Sequence, residues 1–261
     1  MLSNIRELMK YRELLIMFTW RDIKIKYKQS VLGLAWAVLM PSFIVLAGVL
    51  VRVGYAHVAG RPLLITDLAG VAVKSIPWAF FVSAVRFSGN SLISNTALVT
   101  KIYFPKEIFP IASIASSFFD LIIASLVLAV LLFFGKIGVS MLILWVPVLL
   151  FVLVILVAGI SMYMAAASLF YRDVKYILEV LLTFGIFFTP VFFNSSMLGI
   201  YGRYLKWNPL TSVLEGLEDV IVFQKYPETS WLLYSFLIGM FLLLSGYVFF
   251  KRAEPNFAER I

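Results

Sequence analysis

The sequence lacks the residues on which several common kinds of site depend. It contains no cysteine and a single histidine, His57. Disulfide bonds, thiol catalysis and an ordinary zinc site with several Cys or His ligands are therefore excluded. The one Gly-Lys pair, Gly135–Lys136, has no upstream glycine at P-loop spacing, and neither G-x-G-x-x-G nor H-E-x-x-H occurs. We expect no metal and no cofactor on this chain.

Charged residues are also scarce. Only 14% of the 261 residues are charged, whereas a soluble domain carries about 25%. Hydrophobic residues make up 62%, and the mean hydropathy is +0.98. This composition predicts an integral membrane protein. Retention of Lys and Arg on the cytoplasmic side of a membrane explains the net charge of +8, so no nucleic-acid partner is expected.

Six segments have the length and apolarity of a membrane span, which needs about 20 residues. They are residues 31–51, 63–85, 108–134, 141–170, 177–193 and 231–250. Because the backbone must satisfy its own hydrogen bonds in lipid, each segment is expected to be a helix. Lys and Arg concentrate on one side when both termini are placed in the cytoplasm. The sequence predicts an all-α, multi-pass protein with six transmembrane helices and cytoplasmic termini.

Three further segments flank or interrupt these spans. Residues 1–30 are predicted to form an amphipathic interface helix on the cytoplasmic membrane surface, because apolar and basic residues recur on different faces. Residues 194–230, inside the permease domain of residues 31–250, are too rich in aromatic and apolar residues for a solvated loop. We expect short re-entrant periplasmic helices there, broken near Asn208 and Pro209. Residues 251–261 are predicted to form a cytoplasmic tail.

A dense basic and aromatic stretch, RDIKIKYKQSVLG from Arg21, lies directly before the first span. One interpretation is simple anchoring of that span by positive charge. The other is a docking helix that also flanks a substrate entrance, where Lys26, Lys28 and Trp36 would meet an anionic lipid head group or a pyrophosphate.

A loop on the predicted cytoplasmic side has the composition of a protein contact. It contains KIYFPKE, residues 101–107, in which Tyr103 and Phe104 lie between charges. A plain linker would be polar, whereas an aromatic cluster between charges favours contact with a partner protein. The turn FYRDVKY, with Arg172 and Asp173, is equally compatible with a membrane anchor and with a partner contact. Asp120, inside the third span, favours a hydrogen-bonded structural role over a substrate ligand.

Aromatic residues cluster in and near the spans. Most such clusters form belts at the membrane surface. Some could instead line a path, because aromatic faces stack on sugar rings without demanding one sugar. The candidates for such a path are Trp78, Phe81, Phe187, Phe188 and Phe192.

Six motifs together resemble one protein family. They are RDIKIKYKQSVLGLAW from Arg21, KIYFPKEIFP from Lys101, FYRDVKY from Phe170, TPVFF from Thr189, WNPL from Trp207 and EPNFAERI from Glu254. They are similar to motifs in the membrane (permease) subunit of bacterial type-2 ABC exporters, above all those of O-antigen, teichoic acid and capsular polysaccharide. The resemblance spans the whole chain, and its motifs do not separate the three substrates.

The resemblance implies a homodimeric permease in the bacterial inner membrane that binds two copies of a cytoplasmic ATP-binding subunit. ATP and Mg would be held by that partner, so this chain would be a transport subunit and not an enzyme. The implied substrate is a lipid-linked polysaccharide. The residues implied to contact the ATP-binding subunit are Arg21, Lys24, Lys101, Tyr103, Phe104, Lys106, Glu107, Arg172 and Asp173.

Three other functions are compatible with a membrane protein of this size. A permease for a small lipid or drug in the same superfamily is the first, but the many aromatics and few intramembrane charges favour a polysaccharide. A membrane-embedded sugar transferase would show an acidic cluster in its cytoplasmic loops, and these loops hold none. An ion-coupled carrier would be expected to show internal repeats, and none is seen.

Overall fold

The computed structural model describes residues 9–28, 30–60 and 62–257, and within these ranges the chain forms helices and no strand. The α-helices are α1 (Arg12–Tyr27), α2 (Trp36–Val58), α3 (Ile65–Asn90), α4 (Thr96–Lys101), α5 (Ile108–Phe134), α6 (Trp145–Phe170), α7 (Asp173–Gly185), α8 (Gly202–Leu205), α9 (Pro209–Glu218) and α10 (Thr229–Ala253). Short 3₁₀ turns occupy Gly33–Ala35, Ile93–Asn95, Met141–Leu144, Ile186–Phe188, Ser195–Tyr201 and Glu254–Asn256, and Asp219–Phe223 is π-helical. The all-α prediction is confirmed for these residues. Parts of two predicted segments, residues 1–8 and 258–261, lie outside them.

Five of the described helical segments are long and apolar enough to cross a membrane: Gly33–Val58, Ile65–Asn90, Ile108–Phe134, Met141–Phe170 and Thr229–Asn256. The predicted span at residues 177–193 is not among them, so the count of six is not confirmed. Helix α7 has 13 residues and the turn after it 3, together about 25 Å, which is shorter than the roughly 30 Å of a bilayer core. Pro190 explains the early end, because a residue before proline avoids the helical region, and Thr189 is extended (φ −128°, ψ 136°).

Helix α3 is the central helix of the bundle. It packs against α2, α5 and α6, and α9 covers its beginning. Within its most apolar stretch 72% of residues are buried, whereas the corresponding share is 17–33% in the other four. Its mean hydropathy of 1.6 is the lowest of the five, and the others range from 2.0 to 3.2. The most apolar helices therefore form the perimeter, where lipid would surround them.

The bundle has two ends that differ in what they hold. One end carries α1, the start of α5 and the end of α10, joined by a buried cluster that includes Phe104, Phe109 and Phe250. We call it the termini end. The opposite end, called the distal end, holds the start of α3 and residues 189–228, which we call the distal segment.

The distal segment is built from short helices that pack onto the bundle. Asn208 caps α9 by accepting a hydrogen bond from the Leu210 N–H at 3.0 Å, and Pro209 begins the helix where no N–H is needed. The break therefore falls at the Asn208–Pro209 position that the sequence indicates. Leu214 and Leu217 of α9 are buried against the main core. Packing against the bundle therefore explains why this segment is rich in apolar residues.

Helices α6 and α10 approach each other so closely that glycine is required at the contact. A Cβ built on Gly159 would lie 2.7 Å from the backbone carbonyl carbon of Leu242. A Cβ built on Gly246 would lie 2.8 Å from the carbonyl oxygen of Gly159. Backbone atoms cannot move aside as a flexible side chain can, so the missing Cβ atoms set the distance between these helices.

We predict that Gly159→Ala destabilises the protein by about 1–3 kcal/mol, the usual cost of overpacking a close contact. Gly54→Ala in α2 is the matched control, because a Cβ there meets nothing within 4 Å. Alanine is the better helix former, so the control should be neutral or slightly stabilising. Thermal unfolding in detergent measures both variants. Equal unfolding midpoints for the two would contradict the close-contact argument.

Candidate functional site

Helix α1 runs along the first part of α5 in a constant parallel register. Three pairs, each one helical turn after the last, join the two helices: Phe18 with Phe109 (ring centroids 5.2 Å apart), Asp22 with Ser113 (3.4 Å) and Lys26 with Ser117 (3.3 Å). Positions four apart share one face of a helix, so each helix uses a single face for this contact. Helix α1 thus follows the direction of a membrane-capable helix, whereas the sequence predicts a helix lying on the membrane surface.

Asp120 is the polar centre of this contact. Lys26 Nζ donates to its Oδ2 at 3.0 Å, and the Tyr27 hydroxyl donates to its Oδ1 at 2.5 Å. Lys26 Nζ also lies 4.4 Å from the centroid of the Phe87 ring. Both carboxylate oxygens of Asp120 therefore receive a hydrogen bond from α1, which supports the structural role that the sequence favours for this residue.

The surroundings of this pair change its titration. Burial lowers the pKa of the Lys26 ammonium, and the Asp120 carboxylate opposes that shift. Burial and the hydrogen bond to Asp120 raise the pKa of the Tyr27 hydroxyl. Lys26 is thus held by groups of this chain, with 13% of its side chain exposed. An anionic head group at this position would compete with Asp120.

The other basic residues of α1 are placed differently. Arg21 pairs with its neighbour Asp22 at 2.8 Å and lies over the Phe18 ring. The remaining predicted contact or head-group residues are on the outside: Lys24, which lies 5.5 Å from the Trp20 ring centroid, Lys28, and Trp36 with 39% of its surface exposed. Of the predicted contact and head-group residues near α1, these three are open to a partner or a lipid.

The loop at residues 101–107 is divided into an exposed half and a buried half. Lys101 and Tyr103 point outward, and Tyr103 is 92% exposed. Phe104 is buried and meets Phe109 edge-on at 5.4 Å between centroids. The sequence predicts that both aromatics meet a partner. The structure places Tyr103 where a partner can reach it and uses Phe104 to hold the loop.

Ion pairs fix the buried half of this loop to the end of α10. Lys251 Nζ lies 2.8 Å from Glu107 Oε2 and 2.9 Å from Glu254 Oε2. The backbone N–H of Lys106 donates to Glu254 Oε1 at 3.0 Å. Burial raises the pKa of the Glu107 carboxyl, although Lys251 opposes the shift, and burial lowers the pKa of Lys106. Lys106 and Glu107 therefore set the shape of the loop and are themselves covered.

A cleft of about 550 Å³ opens beside this loop. Its walls are residues 99–106 together with Lys251, Glu254, Pro255 and Phe257. One wall is the loop with exposed Tyr103, and the other is the end of the last helix. A side chain or short helix of a partner has room to enter between them.

The second candidate contact, at Arg172 and Asp173, lies at the start of α7. Both side chains are exposed, and Asp173 occupies the first turn of the helix, where a carboxylate is favourable beside the helix dipole. Further along α7, Glu179 Oε1 lies 2.7 Å from Arg86 Nε of α3. This pair is the polar link that holds the half-exposed α7 to the central helix.

The five aromatic residues proposed to line a path are not brought together. Trp78, Phe81 and Phe192 are buried in the main core, and the Trp78 and Phe81 rings stack at 5.4 Å between centroids. Phe187 and Phe188 are 62% and 71% exposed on the turn after α7. Only these two face outward from the chain, where a second molecule, a lipid or a substrate can reach them.

A second group of deeply buried charges lies at the distal end. Lys74 of α3 is 0% exposed, and its Nζ lies 2.8 Å from Glu218 Oε2 of α9. The same Nζ donates to Asn194 Oδ1 at 2.7 Å and to the Phe193 carbonyl at 2.9 Å. Arg52 of α2, 3% exposed, donates to the same Asn194 oxygen at 2.7 Å. Four elements therefore meet at one buried cluster, which we call the distal charge cluster.

Two acidic residues complete the distal charge cluster. Asp67 Oδ1 lies 3.5 Å from Arg52 Nη1, and Asp67 also caps the start of α3 by accepting from the Leu64 N–H. Glu218 Oε1 lies 3.9 Å from Arg52 Nη2. Removal of one partner from a buried ion pair typically costs about 3–5 kcal/mol, because the other charge is left without compensation.

The sequence pointed to only part of this cluster. Lys74 stands out as a charge within an apolar span, and such residues usually have a partner and a role. Its partners were not evident, since Asn194, Glu215 and Glu218 lie some 120 to 144 positions away in an aromatic-rich segment. Among the described residues no group of His, Cys, Asp and Glu has the geometry of a metal site.

Comparison with known proteins gives a family match over most of the chain. The model of the ABC-2 type transporter family matches residues 13–222. This range includes α1, the four following membrane-capable helices, and nearly all of the distal segment.

Curated relatives align over 95–100% of the chain. The O-antigen export system permease protein RfbA of Myxococcus xanthus is 25% identical over 267 aligned positions, which cover 100% of both chains. Two proteins of the same name from Klebsiella pneumoniae are 26% and 25% identical, each covering 95% of this chain and 94% of its own length.

We predict that Lys26→Gln weakens the attachment of α1 by about 1.5–3 kcal/mol, the range for a hydrogen bond to a charged group. The reason is that Asp120 keeps its burial but loses its cation. Lys24→Gln is the matched control, because Lys24 is exposed two residues earlier. Thermal unfolding in detergent, together with trypsin cleavage within α1, measures the effect. Equal behaviour of the two variants would contradict it.

We predict that Asp219→Asn stabilises the protein more at pH 7.5 than at pH 4. Burial, followed by the neighbouring Glu218 and Glu215 carboxylates, raises the pKa of Asp219 from 3.8 to about 6. The folded state therefore holds a proton that the unfolded state releases, so unfolding becomes easier as the pH rises from about 4 to about 6. Asparagine does not ionise, so the variant does not lose this stability as the pH rises.

The measurement is the unfolding midpoint of both proteins across this pH range. Asp173→Asn, which changes an exposed aspartate, is the matched control and should shift the midpoint little at any pH. A stability gain from Asp219→Asn that does not depend on pH would contradict the prediction.

Proposed function

The chain belongs to the ABC-2 type transporter family, and we propose that it is the permease subunit of an exporter that moves a lipid-linked, O-antigen-like polysaccharide across the bacterial inner membrane. The observation that carries this proposal is the alignment with O-antigen export permeases, which extends from end to end of the chain. The helical bundle with an apolar perimeter suits such a role, because a permease must form its walls within lipid.

The energy for export comes, in this proposal, from a separate ATP-binding subunit that also holds Mg. The chain itself carries no P-loop motif. The exposed half of the loop at residues 101–107, with the 550 Å³ cleft beside it, is the main docking site. Arg172 and Asp173, both exposed, form a second contact, and Lys24 of α1 a third. Two such subunits would bind to a homodimer of this chain.

The proposed membrane topology places the termini end in the cytoplasm and the distal end in the periplasm. Helix α7 then counts as a sixth, short crossing, completed by the turn and the extended residues that follow it. Helices α8 and α9 dip into the periplasmic side of the membrane as re-entrant elements. At the start of α9 the Leu210 N–H is satisfied by Asn208 and the Leu205 carbonyl by Thr211, which is compatible with this depth.

The substrate path, in this proposal, runs along α7 and the turn after it, on the face that the rest of the protomer leaves uncovered. Phe187 and Phe188 are exposed on that face, and apolar side chains of α7 extend it. A homodimer would bring two such faces together and form a passage for a polymer chain. Lys28 and Trp36, exposed between α1 and α2, would meet the anionic lipid anchor at the entrance.

The experiment that tests this function is co-purification. The chain, tagged at its C-terminus, is extracted gently from native membranes, and bound proteins and lipids are identified by mass spectrometry. A stoichiometric ATP-binding subunit supports the exporter, and a retained polyprenyl-linked glycan identifies the cargo. A small lipid or drug in place of the glycan would overturn the polysaccharide assignment, and a chain without any ATP-binding subunit would overturn the exporter.

We predict that Tyr103→Ala lowers affinity for the ATP-binding subunit by about 2 kcal/mol or more, roughly thirtyfold, as expected for an aromatic hot spot. Export should fall in parallel. Tyr201→Ala is the matched control, because Tyr201 is also exposed but lies in the distal segment. A pull-down at graded subunit concentration measures the affinity. Equal loss from both variants would contradict docking at the loop.

A further inference from the structure

We propose that the distal segment is a fixed wall of its own protomer, locked to α2 and α3 by the distal charge cluster, and not a lid that swings open during transport. The inference rests on the proposed function, since a wall or a lid has meaning only in a transporter. It adds a role for Lys74, Arg52, Asn194 and Glu218 as positioning residues that hold the wall.

The first argument is that the shortest contacts of the cluster cross between the segment and the spans. Lys74 and Arg52 lie on α3 and α2, whereas their acceptors Asn194 and Glu218 lie in the segment. A hinge motion would separate both cations from these acceptors at once. Because Lys74 and Glu218 are 0% and 2% exposed, no water is at hand to replace the lost contacts during the motion.

The second argument is that glycines in the spans form notches that the segment fills. The place of a Cβ on Gly70 is taken by Glu218, whose Oε1 lies 2.0 Å from it. The place of a Cβ on Gly48 is shared by Val71 Cγ1 of α3, 2.5 Å away, and the Phe192 ring of the segment, 2.6 Å away. The segment is therefore set into α2 and α3 near both of its ends, and a side chain added at either glycine would have to displace Glu218 or Phe192 from its place.

The third argument is that the remaining sides of the segment are also attached. Gln224 Nε2 donates to the Gly138 carbonyl at 2.9 Å in the connection between α5 and α6. The hydroxyls of Ser212 and Ser235 lie 2.6 Å apart and join α9 to α10. Together with the distal charge cluster, these contacts hold the segment against three membrane-capable helices, α2, α3 and α10, and against the connection between α5 and α6.

A fixed wall limits where substrate can pass. An opening between the segment and its own bundle would break the cluster, so the exit lies on the side of the segment that faces away from the bundle. Tyr201, Tyr204 and Trp207 are exposed on that side. Opening then requires movement between two copies of the chain, with each wall carried as part of its protomer.

The absence of native cysteine makes a direct test possible. In the triple variant Gly48→Cys, Val71→Ala, Phe192→Cys both side chains that occupy the place of a Cβ on Gly48 are shortened. A disulfide or a short bifunctional thiol reagent can then join α2 to the segment while the charge cluster stays intact. The complete complex with its ATP-binding subunit is assayed for glycan export after oxidation and after reduction. A fixed wall predicts less than about a twofold loss of export on oxidation. Export that stops on oxidation and returns on reduction would overturn the wall.

A second measurement does not depend on export. The single variant Phe192→Cys is treated with a water-soluble maleimide in membrane vesicles, without nucleotide and with a non-hydrolysable ATP analogue. A fixed wall keeps the thiol unreactive in both states, whereas a lid exposes it in one. Tyr201→Cys, at an exposed position of the same segment, is the control that must react in both states.

The two measurements separate the possible failures. If wild-type and reduced proteins export no glycan, the proposed function fails, and the maleimide result still decides between wall and lid. If export is normal and the Phe192→Cys thiol reacts in one nucleotide state, the function stands and the wall is overturned.

Discussion

The requirement that a buried charge must have a partner governs this fold more than any single apolar contact. Three of the ion pairs that meet it among the described residues join distant parts of the chain: Lys26 with Asp120, Lys74 with Glu218, which Arg52 shares, and Glu107 with Lys251. The first joins α1 to α5, the second joins α3 to α9, and the third joins the loop before α5 to α10. Apolar packing sets how closely helices approach, and each ion pair in addition specifies one position along its helix.

Local sequence features were sufficient to predict the long helices but neither the short helix α4 nor the way α7 ends. Apolar length alone indicated α5 with the bounds that the structure has, and the Asn208–Pro209 pair marked the start of α9. Residues 177–193 have the apolarity of a span, yet Pro190 forces Thr189 into an extended conformation and ends the helical turn at Phe188. An average hydropathy does not include the restriction that one proline places on the backbone of the residue before it.

The candidate site was predictable as a region and not as a set of contacts. The mixture of aromatics and charges at residues 101–107 identified an unusual loop, but which members face outward depends on distant residues. Glu254 and Lys251 cover Lys106 and Glu107, so Tyr103 and Lys101 are left exposed. Likewise, Lys26 and Lys28 belong to the same basic stretch of the sequence, and nothing in that stretch distinguishes their roles. Lys26 is paired because Asp120 of α5 lies beside it, whereas Lys28 is exposed.

The position of α3 shows why hydropathy is a poor guide to the functional core of a membrane protein. A helix surrounded by lipid has no use for polar side chains, so the perimeter helices score highest. A central helix can bind its neighbours through polar groups, and α3 does so with Lys74, with Ser88, which donates to Ser161, and with Arg86. Lys74 also lowers the mean hydropathy of the most apolar stretch of α3. The membrane-capable helix with the lowest mean hydropathy is therefore the central helix of the bundle. Its polar residues are the first candidates for coupling between the termini end and the distal end.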